Sequence, residues 1–262
     1  MLSLPYFQAY LFDLDGTVYL GEQVLPGAPE AIARLRARGA GVMYITNKPL
    51  YPPQEYAAKL TRLGLPTQPA EVITSANVLA DYVAQEHPGA RVLLLGEQAV
   101  RDELERAGAQ LVDDWREAEV LVASWDRGLT YDKLDAGLQA LRRGAVYLAT
   151  NPDVLCPVGA GEFVPDCGAL LAALKAMTGR DPDVMAGKPG PRLPLAALAR
   201  LGVAPEKAAL VGDRLSTDIT CGNRAGMATI AVLTGEATRE SIAAATGEAR
   251  PDYVLDSVAE LH

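Results

Sequence analysis

The chain has 262 residues, 49% of them hydrophobic and 22% charged, with 33 Asp and Glu against 24 Lys and Arg and a formal charge of −9. This composition suits a folded chain with one large core or two smaller ones, and it excludes intrinsic disorder and any general electrostatic affinity for nucleic acid or anionic lipid. No apolar run approaches the roughly 18 residues of a membrane span and no basic-then-apolar leader pattern opens the sequence, so no membrane partner is expected and the expected location is the cytoplasm.

Strand-like apolar runs alternate with helix-like periodic segments, the rhythm of an α/β protein built on a mainly parallel sheet. Tyr10–Leu14 reads as a short buried strand, followed by a helix near Pro29–Arg38 with Ile32 and Leu35 on one face and by a strand at Gly41–Thr46. The next helix, about Gln54–Leu63, places Tyr56, Leu60 and Leu63 on one face and stops at Gly64. Glu71–Thr74 is a further strand. The same rhythm returns with strands at Asp183–Met185, Ala208–Val211, Ala228–Val232 and Tyr253–Leu255, and with helices near Leu193–Leu201 and from about Thr217. These two outer blocks, 1–78 and 180–262, are expected to form one sheet.

Between them, residues 79–179 carry their own alternation: Arg91–Leu95, a helix over Gln98–Ala107, Val120–Ala123, a helix with Leu134, Leu138 and Leu141 on one face, and Ala145–Ala149. About a hundred residues suffice for an inserted α/β domain. The segment Asn151–Asp166 is rich in Pro and Gly and reads as a shaped loop. Cys156, Cys167 and Cys221 are odd in number and lack C-x-x-C spacing, which argues for small buried thiols rather than disulfides or structural zinc.

The chemistry concentrates at strand ends. Leu11-Phe-Asp-Leu-Asp-Gly-Thr17 sets Asp13 and Asp15 two residues apart as an apolar run ends, and Gly16 supplies freedom for a sharp turn. In extended chain both carboxylates point to one side, where they repel unless a shared proton or a cation intervenes; Mg²⁺ is the favoured cation because it takes a few carboxylates plus phosphate oxygens and water. A polar strand-to-turn exit is the plainer alternative. Tyr44-Ile-Thr-Asn47 ends another strand with two neutral groups suited to phosphate oxygens, Ala186-Gly-Lys-Pro189 fixes one cation between Gly and Pro, and Leu210-Val-Gly-Asp-Arg-Leu-Ser-Thr-Asp-Ile219 offers Asp213 with Asp218 five residues later. Each alone reads equally well as a strand end, a solvated lysine or a helix start.

Together, Asp13-Leu-Asp-Gly-Thr17, Ile45-Thr-Asn47, Gly187-Lys-Pro189 and Gly212-Asp-Arg-Leu215 with Thr217-Asp-Ile219 resemble the four motifs of the haloacid dehalogenase superfamily. Over nearly the whole chain the resemblance is to its 4-nitrophenylphosphatase and phosphoglycolate-phosphatase-like (NagD-like) group, which has a large α/β cap. Asp126-Arg127 with Tyr131, Thr150-Asn-Pro-Asp153 and Val232-Leu-Thr-Gly235 are similar to that group's pattern as well. Departures fall at Lys48, Ser216 and Asp166-Cys167. The resemblance implies a doubly wound, Rossmann-like parallel-sheet core with residues 79–179 as inserted cap, and a Mg²⁺-dependent phosphatase acting on small phosphorylated metabolites. It implies that Asp13 is the nucleophile and Asp15 the acid and base. Mg²⁺ would lie on Asp13, the Asp15 carbonyl and Asp213, with Asp218 behind a metal-bound water. Thr46, Asn47 and Lys188 would hold the phosphoryl oxygens. Asn151 and Asp166 are candidate substrate contacts, and a homodimer through the cap is implied as a possibility.

A phosphomutase of the same superfamily and a catalytically silent phosphometabolite-binding protein are the competing readings; the full catalytic set argues against the second. Dehalogenation does not need Asp15 and Lys188 in this arrangement. A Ser-His-Asp enzyme is excluded because His87 and His262, expected at the surface, lie near no motif and no G-x-S-x-G elbow occurs.

Overall fold

The computed structural model describes residues 4–159 and 162–262. In chain order the strands and helices begin with β1 (Ala9–Phe12), the two-residue strands β2 (Tyr19–Leu20) and β3 (Gln23–Val24), α1 (Ala28–Ala37), β4 (Gly41–Thr46), α2 (Pro53–Arg62) and β5 (Val72–Thr74). Next come α3 (Ser75–Glu86), β6 (Arg91–Leu95), α4 (Gln98–Arg106), β7 (Gln110–Leu111), β8 (Val120–Ala123), α5 (Tyr131–Arg142), β9 (Val146–Ala149), β10 (Leu155–Gly159), β11 (Glu162–Pro165), α6 (Cys167–Thr178) and β12 (Val184–Met185). The remainder is α7 (Arg192–Leu201), β13 (Ala208–Gly212), α8 (Thr220–Arg224), β14 (Ala228–Val232), α9 (Arg239–Ala244) and β15 (Tyr253–Leu255).

The chain divides into two compact units: one takes the chain to Thr46 with Pro53–Ile73 and Lys188–His262, the other Asn47–Pro52 and Thr74–Gly187. In the first, six strands lie in the order β15-β14-β13-β1-β4-β5. β1 pairs in parallel with β13 and with β4, so Phe12 sits level with Val211 on one side and Tyr44 on the other. Every residue of β1 is buried, as a central parallel strand requires. Ile32 and Leu35 of α1 and Tyr56 and Leu60 of α2 join the core of this sheet with Phe12, Leu14 and Tyr44. Burying each such side chain is worth about 1.5–3 kcal/mol. α2 ends where expected, since Gly64, at φ +88, supplies the left-handed residue that stops a helix.

In the second unit five strands lie in the order β12-β9-β8-β6-β7, each paired in parallel, over a core that includes Leu93, Leu95, Leu121, Tyr147 and Leu174. Asp183–Met185, expected in the outer sheet, belongs here instead. β12 pairs with β9, the Asp183 amide donates to the Tyr147 carbonyl and the Asp183 carboxylate accepts from the Tyr147 amide. Its pattern marks a strand but carries no information on the partner. Asn151–Asp166, expected as a loop, contains the antiparallel β10–β11 hairpin. Residues 160 and 161 of that expected loop lie outside the described residues. α3 and α6 are additions. Thr74 caps α3 by accepting from the Asn77 amide, while Asn77 accepts from the Thr74 amide in return. All three cysteines are buried and none is in a disulfide, His262 is exposed and His87 is half-buried. No helix of the described residues is long and apolar enough to cross a membrane.

Candidate active site

In the six-stranded sheet the chain runs from β1 outward through β4 and β5, then returns to start again at β13 on the other side. The carboxyl ends of β1 and β13 therefore flank the point where strand order reverses, the usual place for a ligand in an open parallel sheet. Each of these strands is followed at once by an aspartate, Asp13 and Asp213. The Asp13 amide donates to the Val211 carbonyl at 2.9 Å, which carries the strand pairing one residue into the site.

The turn after Asp13 is set by Gly16 at φ +87, a conformation that favours glycine. A Cβ there would also lie 2.5 Å from a carboxylate oxygen of Asp213. Gly235 is equally pressed against Asp213. The Thr17 hydroxyl donates to Asp213 Oδ1 at 3.3 Å and the Glu236 amide to Oδ2 at 2.8 Å, while the Thr234 hydroxyl holds the Gly16 carbonyl at 2.6 Å. Asp213 is thus locked from two segments of chain, themselves tied together by Thr234. Thr17 and Thr234 fall inside motifs visible in the sequence, but nothing local announces which atom they hold.

Lys188 is buried and donates to Asp13 Oδ1 at 2.5 Å and to Asp218 Oδ1 at 2.6 Å. Asp218 lies on a π-helical turn, Leu215–Ile219, and its other oxygen accepts from the Arg214 amide at 3.0 Å. Single π turns of this kind recur at functional sites. Gly212 has no space for a side chain, because Asp218 packs directly on its α-carbon.

Burial dominates the acid-base behaviour. It pushes the Asp13 carboxyl well above its ordinary range; Lys188 opposes the shift, but the charges of Asp218 and Asp213 add to it. An ammonium in contact normally lowers a carboxyl, yet here one ammonium faces three acids. Asp213 is pushed up to about 6, by burial first and then by Asp218, against the pull of the Glu236 amide. Burial alone would lower Lys188, but Asp13 and then Asp218 outweigh it and hold the side chain protonated.

Asp13, Asp213 and Asp218 each offer a carboxylate oxygen within 4.8 Å of the others, and all three are buried. Three buried carboxylates with one buried ammonium leave uncompensated negative charge that low-dielectric surroundings oppose. A small divalent cation with a preference for oxygen ligands resolves that imbalance, so the donor set fits Mg²⁺.

Of the other expected residues, Asp15 is half-buried just beyond β1 and Thr46 is buried at the end of β4. Asn47, Asn151 and Asp166 lie in the second unit and are joined there through Asp153. The Asn47 amide donates to Asp153 at 2.8 Å, and the Asn151 amide donates to Asp153 at 3.1 Å and to Asp166 at 3.0 Å. Asp166 is neither solvated nor in a loop: it is buried, caps α6, and accepts from the Cys167 amide at 2.5 Å. Burial pushes its carboxyl up to about 6, against the Asn151 and Cys167 hydrogen bonds. Asp153 belongs to the Thr150-Asn-Pro-Asp153 stretch, whose resemblance to the group's pattern assigns it no role.

A parallel sheet whose two central strands each deliver a carboxylate, with a lysine between buried acids, is the layout of a phosphoryl-transfer enzyme. A model described as haloacid dehalogenase-like hydrolase matches residues 10–110, and a second, described as HAD-hydrolase-like, matches residues 185–261. The acid sugar phosphatase of Staphylococcus aureus is 37% identical over 236 residues, 90% of each chain. Among solved structures, the 4-nitrophenylphosphatase of Thermotoga maritima superposes with a TM-score of 0.91 at 36% identity, covering 98% of this chain and 96% of that one. The glycerol phosphate phosphatase of Mycobacterium tuberculosis, solved in complex with magnesium, gives 0.91 at 34% identity over 98% of this chain and 77% of that one. The chain belongs to the haloacid dehalogenase superfamily, within its NagD-like 4-nitrophenylphosphatase group, and is a phosphoric monoester hydrolase.

Proposed function

We propose that the chain hydrolyses small-molecule phosphate monoesters with Mg²⁺ through an aspartyl phosphate on Asp13. The observation that carries this reading is the contact of Lys188 with Asp13 inside the buried acidic cluster. It keeps a permanent cation on the proposed nucleophile and leaves a surplus of carboxylate for a metal.

Asp13 and Asp213, with the Asp15 main-chain carbonyl, would hold Mg²⁺, and Asp218 would act on it through water. When bound, the ion supplies positive charge to the phosphoryl oxygens and lowers the proton affinity of the acids around it. The chain's own residues do the rest. Asp13 attacks phosphorus as the ionised carboxylate, a form that Lys188 favours against the pull of burial. Thr46, with the residue after it, Asn47, and Lys188 bind the oxygens of the transferring group. Asp15 gives a proton to the departing alcohol oxygen, then removes one from the water that cleaves the aspartyl phosphate.

The names of the relatives put sugar phosphates and glycerol phosphate first among substrates to test, with 4-nitrophenyl phosphate as a neutral reporter. We assign substrate selection to the inserted segment. The deciding experiment is a phosphate-ester panel ranked by kcat/KM with Mg²⁺ and with chelator, run with Asp13→Asn alongside. Turnover that survives chelation or Asp13→Asn would remove the metal or the covalent step respectively.

A further inference from the structure

The expected phosphate ligand Asn47 is held by a polar chain lying wholly in the second unit. Its Nδ2 donates to Asp153 Oδ2 at 2.8 Å; the same oxygen accepts from Asn151 Nδ2 at 3.1 Å. Asn151 Nδ2 also donates to Asp166 Oδ1 at 3.0 Å, and Asn151 Oδ1 accepts from the Thr150 hydroxyl at 2.8 Å. The main chain braces both ends. The Ser75 hydroxyl donates to the Asn47 carbonyl at 2.6 Å, and the Gly168 amide donates to the Asp153 carbonyl at 2.7 Å. Gly168 approaches the Pro152 and Asp153 carbonyls so closely that a Cβ would collide with them, and Gly187 leaves no room for a Cβ beside Asn47 Oδ1.

A carboxamide has two chemically opposite ends of nearly the same shape, and only its partners decide which end points where. A carboxylate accepts and never donates when ionised. Asp153 therefore admits only the NH₂ end of Asn47, since the flipped amide would set a carbonyl oxygen against a carboxylate oxygen. A phosphoryl group is likewise rich in acceptors, so an Asn47 free to flip would meet it with the wrong end for part of the time.

We infer that Asp153 is a positioning residue that fixes the orientation of the Asn47 carboxamide so that the side chain meets a phosphoryl oxygen as a donor. The inference rests on the reading of Asn47 as a phosphate ligand. In this reading Asp153 acts through Asn47.

A double-mutant cycle on the full-length enzyme tests it: Asn47→Ala, Asp153→Ala and the pair are compared for inhibition by inorganic phosphate and for KM and kcat with 4-nitrophenyl phosphate. Each single change is expected to raise the phosphate inhibition constant and KM by about tenfold, the loss of one hydrogen bond to a charged group, and the pair to be no worse than Asn47→Ala within about twofold. Asp153→Asn keeps the side-chain volume but can turn either an acceptor or a donor to Asn47, so it no longer dictates which end of that carboxamide points where. It is expected to raise the phosphate inhibition constant about three- to tenfold, and its retained shape guards against loss of fold in the alanine variant. Multiplying losses in the pair, or a wild-type inhibition constant in Asp153→Ala, overturns the inference. An unchanged constant in Asn47→Ala removes the phosphate-ligand reading itself, and this inference with it.

Discussion

The Lys188 ammonium donates to Asp218 Oδ1 at 2.6 Å, a bond that ties the cation beside Asp13 to an acid thirty positions further along the chain. The second oxygen of Asp218 is held by the Arg214 amide. The acid therefore aims Lys188. Asp218→Asn keeps the shape and removes the charge that holds the ammonium. It is expected to lower kcat about 10- to 100-fold, the usual cost of losing a group that orients a catalytic residue. A wild-type kcat in Asp218→Asn would show that Lys188 is aimed without it.

Lys188→Met should separate catalysis from charge balance. Removing the one ammonium leaves three buried acids uncompensated, and breaking a buried pair in this way costs about 3–5 kcal/mol. The variant is expected to melt well below wild type in chelator and to recover part of the difference in excess Mg²⁺. Its kcat should fall about a thousandfold, as for loss of a preorganised charge at the reacting group. Equal melting temperatures in chelator would mean that the acids are protonated together and need no cation.

Asp13→Asn is expected to reduce turnover by several orders of magnitude, since it removes the proposed nucleophile. In chelator the same change should raise stability, because it removes one charge from a cluster whose acids raise one another's pKa. Beryllium fluoride should trap the wild type only. A residual rate above about a tenth of wild type would exclude Asp13 as covalent nucleophile.

Metal affinity should depend more on Asp213 than on Asp218. Asp213 is braced by Thr17 and by the Glu236 amide, whereas Asp218 is engaged by Lys188. Calorimetry with Mg²⁺ is expected to show a larger loss for Asp213→Ala than for Asp218→Ala. Ca²⁺ should inhibit, because its larger and looser coordination disturbs in-line geometry. Unchanged affinity in Asp213→Ala would take that residue off the metal.

Asp166 should leave a mark on stability against pH. Its carboxyl is pushed from an ordinary 3.8 up to about 6, so the folded state prefers the protonated acid. That contribution is fully present below about pH 4, is lost as pH rises through about 6, and is absent at neutral pH. Asp166→Asn keeps the α6 cap and its acceptor oxygen without a charge to bury. The variant is expected to gain on the order of 1–3 kcal/mol over wild type between pH 4 and pH 7 and to run parallel to it above. Denaturant midpoints at pH 4, 5, 6 and 7 measure this; a constant difference across that range would place the Asp166 titration below it.

The motif Asp13-x-Asp15-Gly-Thr, the strand before it and the turn after it were legible in the sequence, because each depends on a few adjacent residues. An apolar run makes the buried strand, and Gly16 alone accepts the turn's positive φ beside Asp213. The helix faces of Ile32 and Leu35 and of Tyr56 and Leu60 follow from periodicity in the same way. Partners are another matter. That β12 pairs with β9 rather than with the outer sheet depends on which edge is open once the chain has collapsed. That Asp166 caps α6, that Asp153 holds Asn47 and that Lys188 reaches Asp218 as well as Asp13 each join residues whose meeting no local propensity encodes. The sequence by itself determined which chemical groups stand at the strand ends, whereas tertiary packing decided which of them neutralise, orient and desolvate one another, because burial and hydrogen bonding between distant segments arise only when the sheet has closed.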